Sequence, residues 1–151
     1  MAIANIYLNF NGNCEEAFLF YKSVLGGEFS YLGRYKEMPP QEGMPPLPKE
    51  AENLIMHISL PLSKETSLMG SDIYGEWMPV FIEGNNFSIC LSPNSKDEAK
   101  RLFNGLSKGG KIIMPLADTF WGDYYGMFVD KFGINWMISY NEKNEIHSVN
   151  E

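Results

Sequence analysis

Little in this sequence is basic, and little of it could hold a metal or a disulfide framework. Its 151 residues carry 12 Lys and Arg against 19 Asp and Glu, a net charge of −7 at neutral pH. Phosphate backbones and anionic lipid surfaces need clustered cations, so neither nucleic acid nor membrane is expected as a partner. No apolar run approaches the roughly 20 residues of a membrane span. The first six residues, Met-Ala-Ile-Ala-Asn-Ile, lack both the basic stretch and the apolar core of a secretion signal, and a cytoplasmic location is expected. Cys14 and Cys90 are the two cysteines, too few for a disulfide scaffold. Cys14 falls at a helix start, where a thiol is either activated or, as read here, semi-buried and inert. No Ser–His–Asp arrangement, no Cys/His cluster of metal spacing and no phosphate loop is legible.

What is present is apolar material, 44% hydrophobic and 14% aromatic. That suffices for one packed domain, or for two half-size modules sharing a core. The second option has a specific signal. Asn13–Gly27 is echoed by Ser95–Gly109, each opening on a capping-box pattern (Asn13 to Glu16, Ser95 to Glu98) and each closing on glycine. Between these ends lie two apolar stripes of helical period, Ala17, Phe20, Tyr21, Val24 and Ala99, Leu102, Phe103, Leu106. A tandem duplication is expected.

Around each helix the pattern predicts strands: 3–10, 28–35, 54–62 and 68–72 in the first copy, then 87–92, 111–115, 124–130 and 135–140 in the second. Residues 36–52 hold five prolines and Gly43, so they are read as a long surface loop, mobile or acting as a lid. The fold class is therefore α+β, two βαβββ modules (1–74 and 85–141) in one domain, their curved mixed sheet wrapping a cleft with the helices outside. A polar tail follows from 142, with His147 inside it.

Five segments carry a family resemblance: Tyr7–Tyr21, Met56–Leu60, Leu68–Asp72, Pro115–Gly126 and Asp130–Trp136. The chain resembles the glyoxalase/bleomycin-resistance/extradiol-dioxygenase superfamily, the vicinal-oxygen-chelate fold. More narrowly it resembles the PhnB-like branch, often labelled demethylubiquinone methyltransferase. Metal-dependent members hold a divalent ion with His, Glu or Gln from four strands, as a Lewis acid on neighbouring substrate oxygens. The resemblance maps those positions to Ile6, Ser88, Met137 and either Met69 or Gly70, none a usual ligand for such an ion. No metal and no cofactor is expected. Nor is there a Gly-rich turn entering a helix for a methyl donor, since Gly26-Gly27 and Gly109-Gly110 both leave helices.

The candidate site residues are His57, Ser88, Cys90, Trp121, Tyr125, Asn135, Met137 and Ser139. His57 is read either as an acid/base or ligand anchor, or as a histidine bonded at a sheet surface. Ser88, Cys90 and Ser92 share one strand face, and Asn135, Met137 and Ser139 another; these line a pocket for a modest organic ligand or fill a core with bonded serines. Trp121, Tyr124 and Tyr125, beside Asp118 and Asp123, form either a ligand-holding rim or a packing and dimer surface. Trp136 is expected beneath a helix, and Asp130-Lys131 is read as a solvated corner. The leading expectation is a metal-free small-molecule-binding protein acting as a homodimer. The alternative is a lyase or isomerase acting on a small carbonyl or hydroxy compound. A third reading makes the Pro-rich 39–48 loop a partner-binding segment.

Overall fold

In a computed structural model the chain divides into one unit ending at Ile82 and another beginning at Glu83. Residues 1–75 and 80–143 are described; 144–151 of the expected tail, with His147, and 76–79 of the segment between modules lie outside them.

The first unit runs β1 (Ile6–Phe10), α1 (Cys14–Leu25), β2 (Tyr31–Arg34), β3 (Ile55–Pro61) and β4 (Ser67–Asp72). Its sheet has the order β1-β4-β3-β2, with β1 and β4 parallel and the other pairs antiparallel. Period-two alternation sends Leu8 and Phe10, each 2% exposed, to the α1 side together with Ile58, Leu60 and Leu68. Each such buried side chain is worth about 1.5–3 kcal/mol of transfer free energy. Gly70 lies within this apolar layer because nothing larger fits. A Cβ there would stand 2.7 Å from the Phe18 ring and 2.8 Å from the Leu8 carbonyl oxygen.

The second unit repeats the plan with β5 (Ile89–Leu91), α2 (Lys96–Ser107), β6 (Lys111–Asp118), β7 (Tyr124–Val129) and β8 (Asn135–Tyr140), in the order β5-β8-β7-β6. Both helices are 12 residues long, and the second starts and ends 82 residues after the first. Trp136 and Ile138 are fully buried on the α2 side, as the alternation required of Trp136. Two open, mixed four-stranded sheets, each with one α-helix, make up the expected α+β pair of βαβββ modules.

Four local expectations are corrected. Asn13 makes no side-chain cap bond; the carboxylate of Asp72, reaching over from the end of β4, accepts from Gly12 N at 3.0 Å and Cys14 N at 3.0 Å. Ser95 does cap α2, accepting from Glu98 N at 3.1 Å, but Glu98 reaches back to Asn94 N rather than to the cap residue. The buried stripe of α1 is Cys14, Ala17, Phe18 and Tyr21, so Phe18 replaces Phe20 and the row sits one turn earlier. Asp130 is no solvated corner: it is 3% exposed and accepts from Phe132 N, Ile134 N and, at 2.8 Å, the Trp136 indole N–H.

Residues 36–52 form the expected long connection, clipped at its two ends. Tyr35 N and Lys36 N donate to the carbonyls of Leu54 and Glu52. Ala51 is buried, and the Tyr35 hydroxyl donates to the Asp72 carbonyl at 2.8 Å.

Candidate functional site

Each helix covers one face of its sheet, and the other face carries most of the chemistry. In the first unit that face has two cross-strand rows, Asn9–Ser71–His57–Gly33 and Tyr7–Met69–Ser59–Tyr31; the second crosses all four strands through directly registered neighbours. His57 is held at the centre of this surface. The Tyr7 hydroxyl lies 3.2 Å from its Nδ1, the Tyr7 ring stacks on it at 5.6 Å between centroids, and the Tyr31 ring meets it at 5.5 Å. The sheet-surface hydrogen bond expected for this histidine is present, and its partner, Tyr7, stands outside the candidate set. Tyr7 could have been found from β1 itself: once Leu8 and Phe10 are taken as the core face, Tyr7 must face the other way.

In the second unit the helix-free face presents Cys90, paired across to Met137, with Ser139 opposite Tyr125 and Asn135 opposite Val129. Ser88 precedes β5 with the same parity as Cys90 and is exposed. Asn135 donates to the Gly84 carbonyl at 3.4 Å. Trp121 stands beside Tyr125 at 6.0 Å, and its indole N–H donates to Asp123 at 2.9 Å. Asn141 donates to the other oxygen of that carboxylate at 2.6 Å. Seven of the eight candidate residues thus belong to the second unit and gather on or beside its helix-free face, while His57 stands in the first unit. Burial, with the Asp123 carboxylate nearby, pushes the Cys90 thiol above its ordinary pKa; burial and Cys90 do the same to the Tyr125 phenol. Neither group is an activated nucleophile. Cys14 is fully buried, and its thiol is pushed up strongly by desolvation and by the Asp72 carboxylate, so it is inert as expected.

The expected aromatic–acidic cluster is split by strand parity. Tyr124 takes the α2 side, where the Lys96 ammonium lies 5.1 Å from its ring and pairs with Asp118 at 3.1 Å. These residues line a polar hollow of about 170 Å³ with Tyr140, Asn141 and Glu142. Trp121 and Tyr125 are not part of it.

Residues 5–138 match the family of the Glyoxalase/Bleomycin resistance protein/Dioxygenase superfamily. The chain belongs to that superfamily. It is 32% identical over 138 residues to protein YjdN of Escherichia coli, covering 88% of this chain and 91% of YjdN. Protein PA1353 of Pseudomonas aeruginosa is 37% identical and superposes with a TM-score of 0.77 over 93% of this chain and 98% of its own. A PhnB protein of Bacillus cereus, to which a 3-demethylubiquinone-9 3-methyltransferase activity is attached only provisionally, is 25% identical with a TM-score of 0.68 over 91% and 98%. The superfamily is one of small-molecule-binding proteins, and membership places this chain among them.

Metal-dependent superfamily chemistry needs several imidazole or carboxylate ligands converging on one point. The described residues do not fit that requirement. Register overturns the matching of Ile6, which shares the helix side with Leu8 and Phe10 and lies opposite Leu68. Gly70 likewise belongs to the helix side, beneath Phe18. On the helix-free side of those strands stand Tyr7, Asn9, Met69 and Ser71, and in the second unit Cys90 and Met137. Among the described residues no three His, Cys, Asp or Glu side chains gather as a metal site.

Proposed function

We propose that this chain holds its small-molecule ligand without a resident metal, on the helix-free face of the second sheet. One observation carries the reading: Cys90, Met137, Ser139 and Tyr125 occupy one face in strand register, with Trp121 beside them. A thioether, a thiol, a hydroxyl and aromatic edges suit a modest organic molecule better than an ion. Ser88 and Asn135 flank the set.

Thermal-shift titration tests this with a library of uncharged organic compounds and, separately, with Ni²⁺, Zn²⁺, Mn²⁺ and Mg²⁺. A true ligand at about 100 times its Kd stabilises by about 2.7 kcal/mol, a rise of roughly 5–10 °C in Tm for a chain of this size. Tyr125→Ala and Met137→Ala should lose that shift. A stoichiometric metal with clear stabilisation, or turnover of a superfamily substrate on adding metal, would sink the reading.

The lyase or isomerase alternative is favoured by one feature, the Tyr7 hydroxyl against His57 Nδ1. Turnover abolished in His57→Gln at unchanged Tm would decide for it. The proposal extends to a cytoplasmic homodimer whose two modules act as one domain. Its supports are two free cysteines and the exposed Ile112, Ile113 and Met114 along β6.

A further inference from the structure

We infer that His57, Tyr7 and Tyr31 form a recognition site for a planar, uncharged compound carrying a carbonyl or phenolic oxygen, with the His57 Nε2–H as the donor to that oxygen. This is a second site, on the first sheet, and it rests on the small-molecule reading only in taking its ligand to be a small organic compound.

A phenol is the stronger donor of the two groups, so we take the Tyr7 O–H to donate a hydrogen bond to Nδ1 at 3.2 Å, which leaves the ring N–H on Nε2. Among the described residues no protein group accepts from Nε2. In that tautomer the nitrogen presents one donor on a face without a helix. The rows around it hold Asn9, Ser71, Ser59 and Met69 and no charged side chain, so nothing there would balance a ligand charge. Two tyrosine rings with centroids within 5.6 Å of the imidazole offer flat aromatic surface beside the donor.

Gly33 is the positioning residue. It is the register partner of His57, and a Cβ on it would stand 2.7 Å from the Tyr31 hydroxyl oxygen and 2.9 Å from a Tyr31 ring carbon. The Tyr31 ring lies across the strand over this glycine, and that is how it reaches the imidazole. Any side chain at 33 lifts the ring away. The glycine is there for space, since its φ lies outside the left-handed range.

The probe is 4-hydroxyacetophenone, compared with cyclohexanol, which has a hydroxyl but no plane. Binding is measured by calorimetry to the full chain and to His57→Phe, Tyr7→Phe, Gly33→Ala and Tyr125→Ala. Saturable binding of the aromatic probe, about tenfold weaker in His57→Phe and about threefold weaker in Tyr7→Phe and Gly33→Ala, is expected, with cyclohexanol much weaker throughout. Nitrogen-15 NMR of histidine-labelled protein reads the tautomer directly, and the Nε2–H form should dominate in the native chain and mix in Tyr7→Phe. Equal affinity for the two probes, no saturable aromatic binding, or an Nδ1–H tautomer would each overturn the assignment. Binding that survives His57→Phe and disappears in Tyr125→Ala would overturn it while leaving the small-molecule reading standing.

Discussion

The two units solve one packing problem with their large and small residues exchanged. In the first, Leu8, Gly70 and Ile58 lie side by side across β1, β4 and β3, and Phe18 of α1 rests in the space above the glycine. In the second, Leu91, Ile138 and Gly126 form a row across β5, β8 and β7. The glycine has moved one strand over, and a different helix position, Phe103, fills the gap, with a Cβ at 126 falling 2.6 Å from its ring. What the repeat preserves is occupied volume beneath a helix, because interiors are close-packed whichever residue supplies the bulk. Each unit is likewise anchored by a buried carboxylate at the end of a strand. Asp72 takes three backbone N–H groups, including Ile55 N at 2.8 Å, while Asp130 takes two and an indole. The helix-free faces have diverged instead of compensating: imidazole and phenols on the first, thiol, thioether and hydroxyl on the second.

Removing the anchors should have the largest effect. Asp72→Ala and Asp130→Ala each strand several donors, and each should cost about 3 kcal/mol or more in denaturant unfolding. A large loss in one unit beside less than about 1 kcal/mol in the other would break the parallel between the carboxylates.

Next come the exchanged glycines. Gly70→Ala and Gly126→Ala should each cost about 1–3 kcal/mol by overpacking. Shortening the facing ring, Phe18→Leu with the first or Phe103→Leu with the second, should recover part of that loss. Recovery when the helix partners are crossed would show the exchange to be incidental.

The smallest effect is a difference in alkaline behaviour. Cys14 opens α1 fully buried, whereas Lys96, at the matching place in α2, is a half-exposed ammonium held protonated by Asp118. The folded chain keeps the Cys14 proton well above its ordinary pKa of 9.0. Above that value the unfolded chain releases a proton that the folded chain retains. Stability is therefore fully present below it and falls as pH rises, by up to about 1.4 kcal/mol per pH unit. Melting curves from about pH 8 to about pH 10 should show this slope and should flatten in Cys14→Ala. An unchanged slope in that variant would assign it to the other groups that burial pushes up, the Cys90 thiol and the Tyr35 and Tyr125 phenols.

Both helices and every strand were legible as elements, because capping residues, glycines and periodic apolar rows act over a few neighbouring positions. The candidate face of the second sheet was legible for the same reason, since alternation alone puts Asn135, Met137 and Ser139 together. Tyr7 was missed because Ile6 was placed by analogy with metal enzymes, although Leu8 and Phe10 already fixed the parity of β1.

By itself, then, the sequence determined two helices in tandem, 82 residues apart, the α2 stripe and the parity of β8. Only the tertiary structure decided that Asp72 caps α1 across 58 residues, that Tyr7 holds His57 across 50, and that Gly126 yields its space to Phe103. The physical reason is register. A cap box or an apolar stripe is a property of neighbours on one element. Which side chain meets which across a sheet depends on strand order and on pairing between distant segments, and a shift of one residue would send every one of these contacts to the other face.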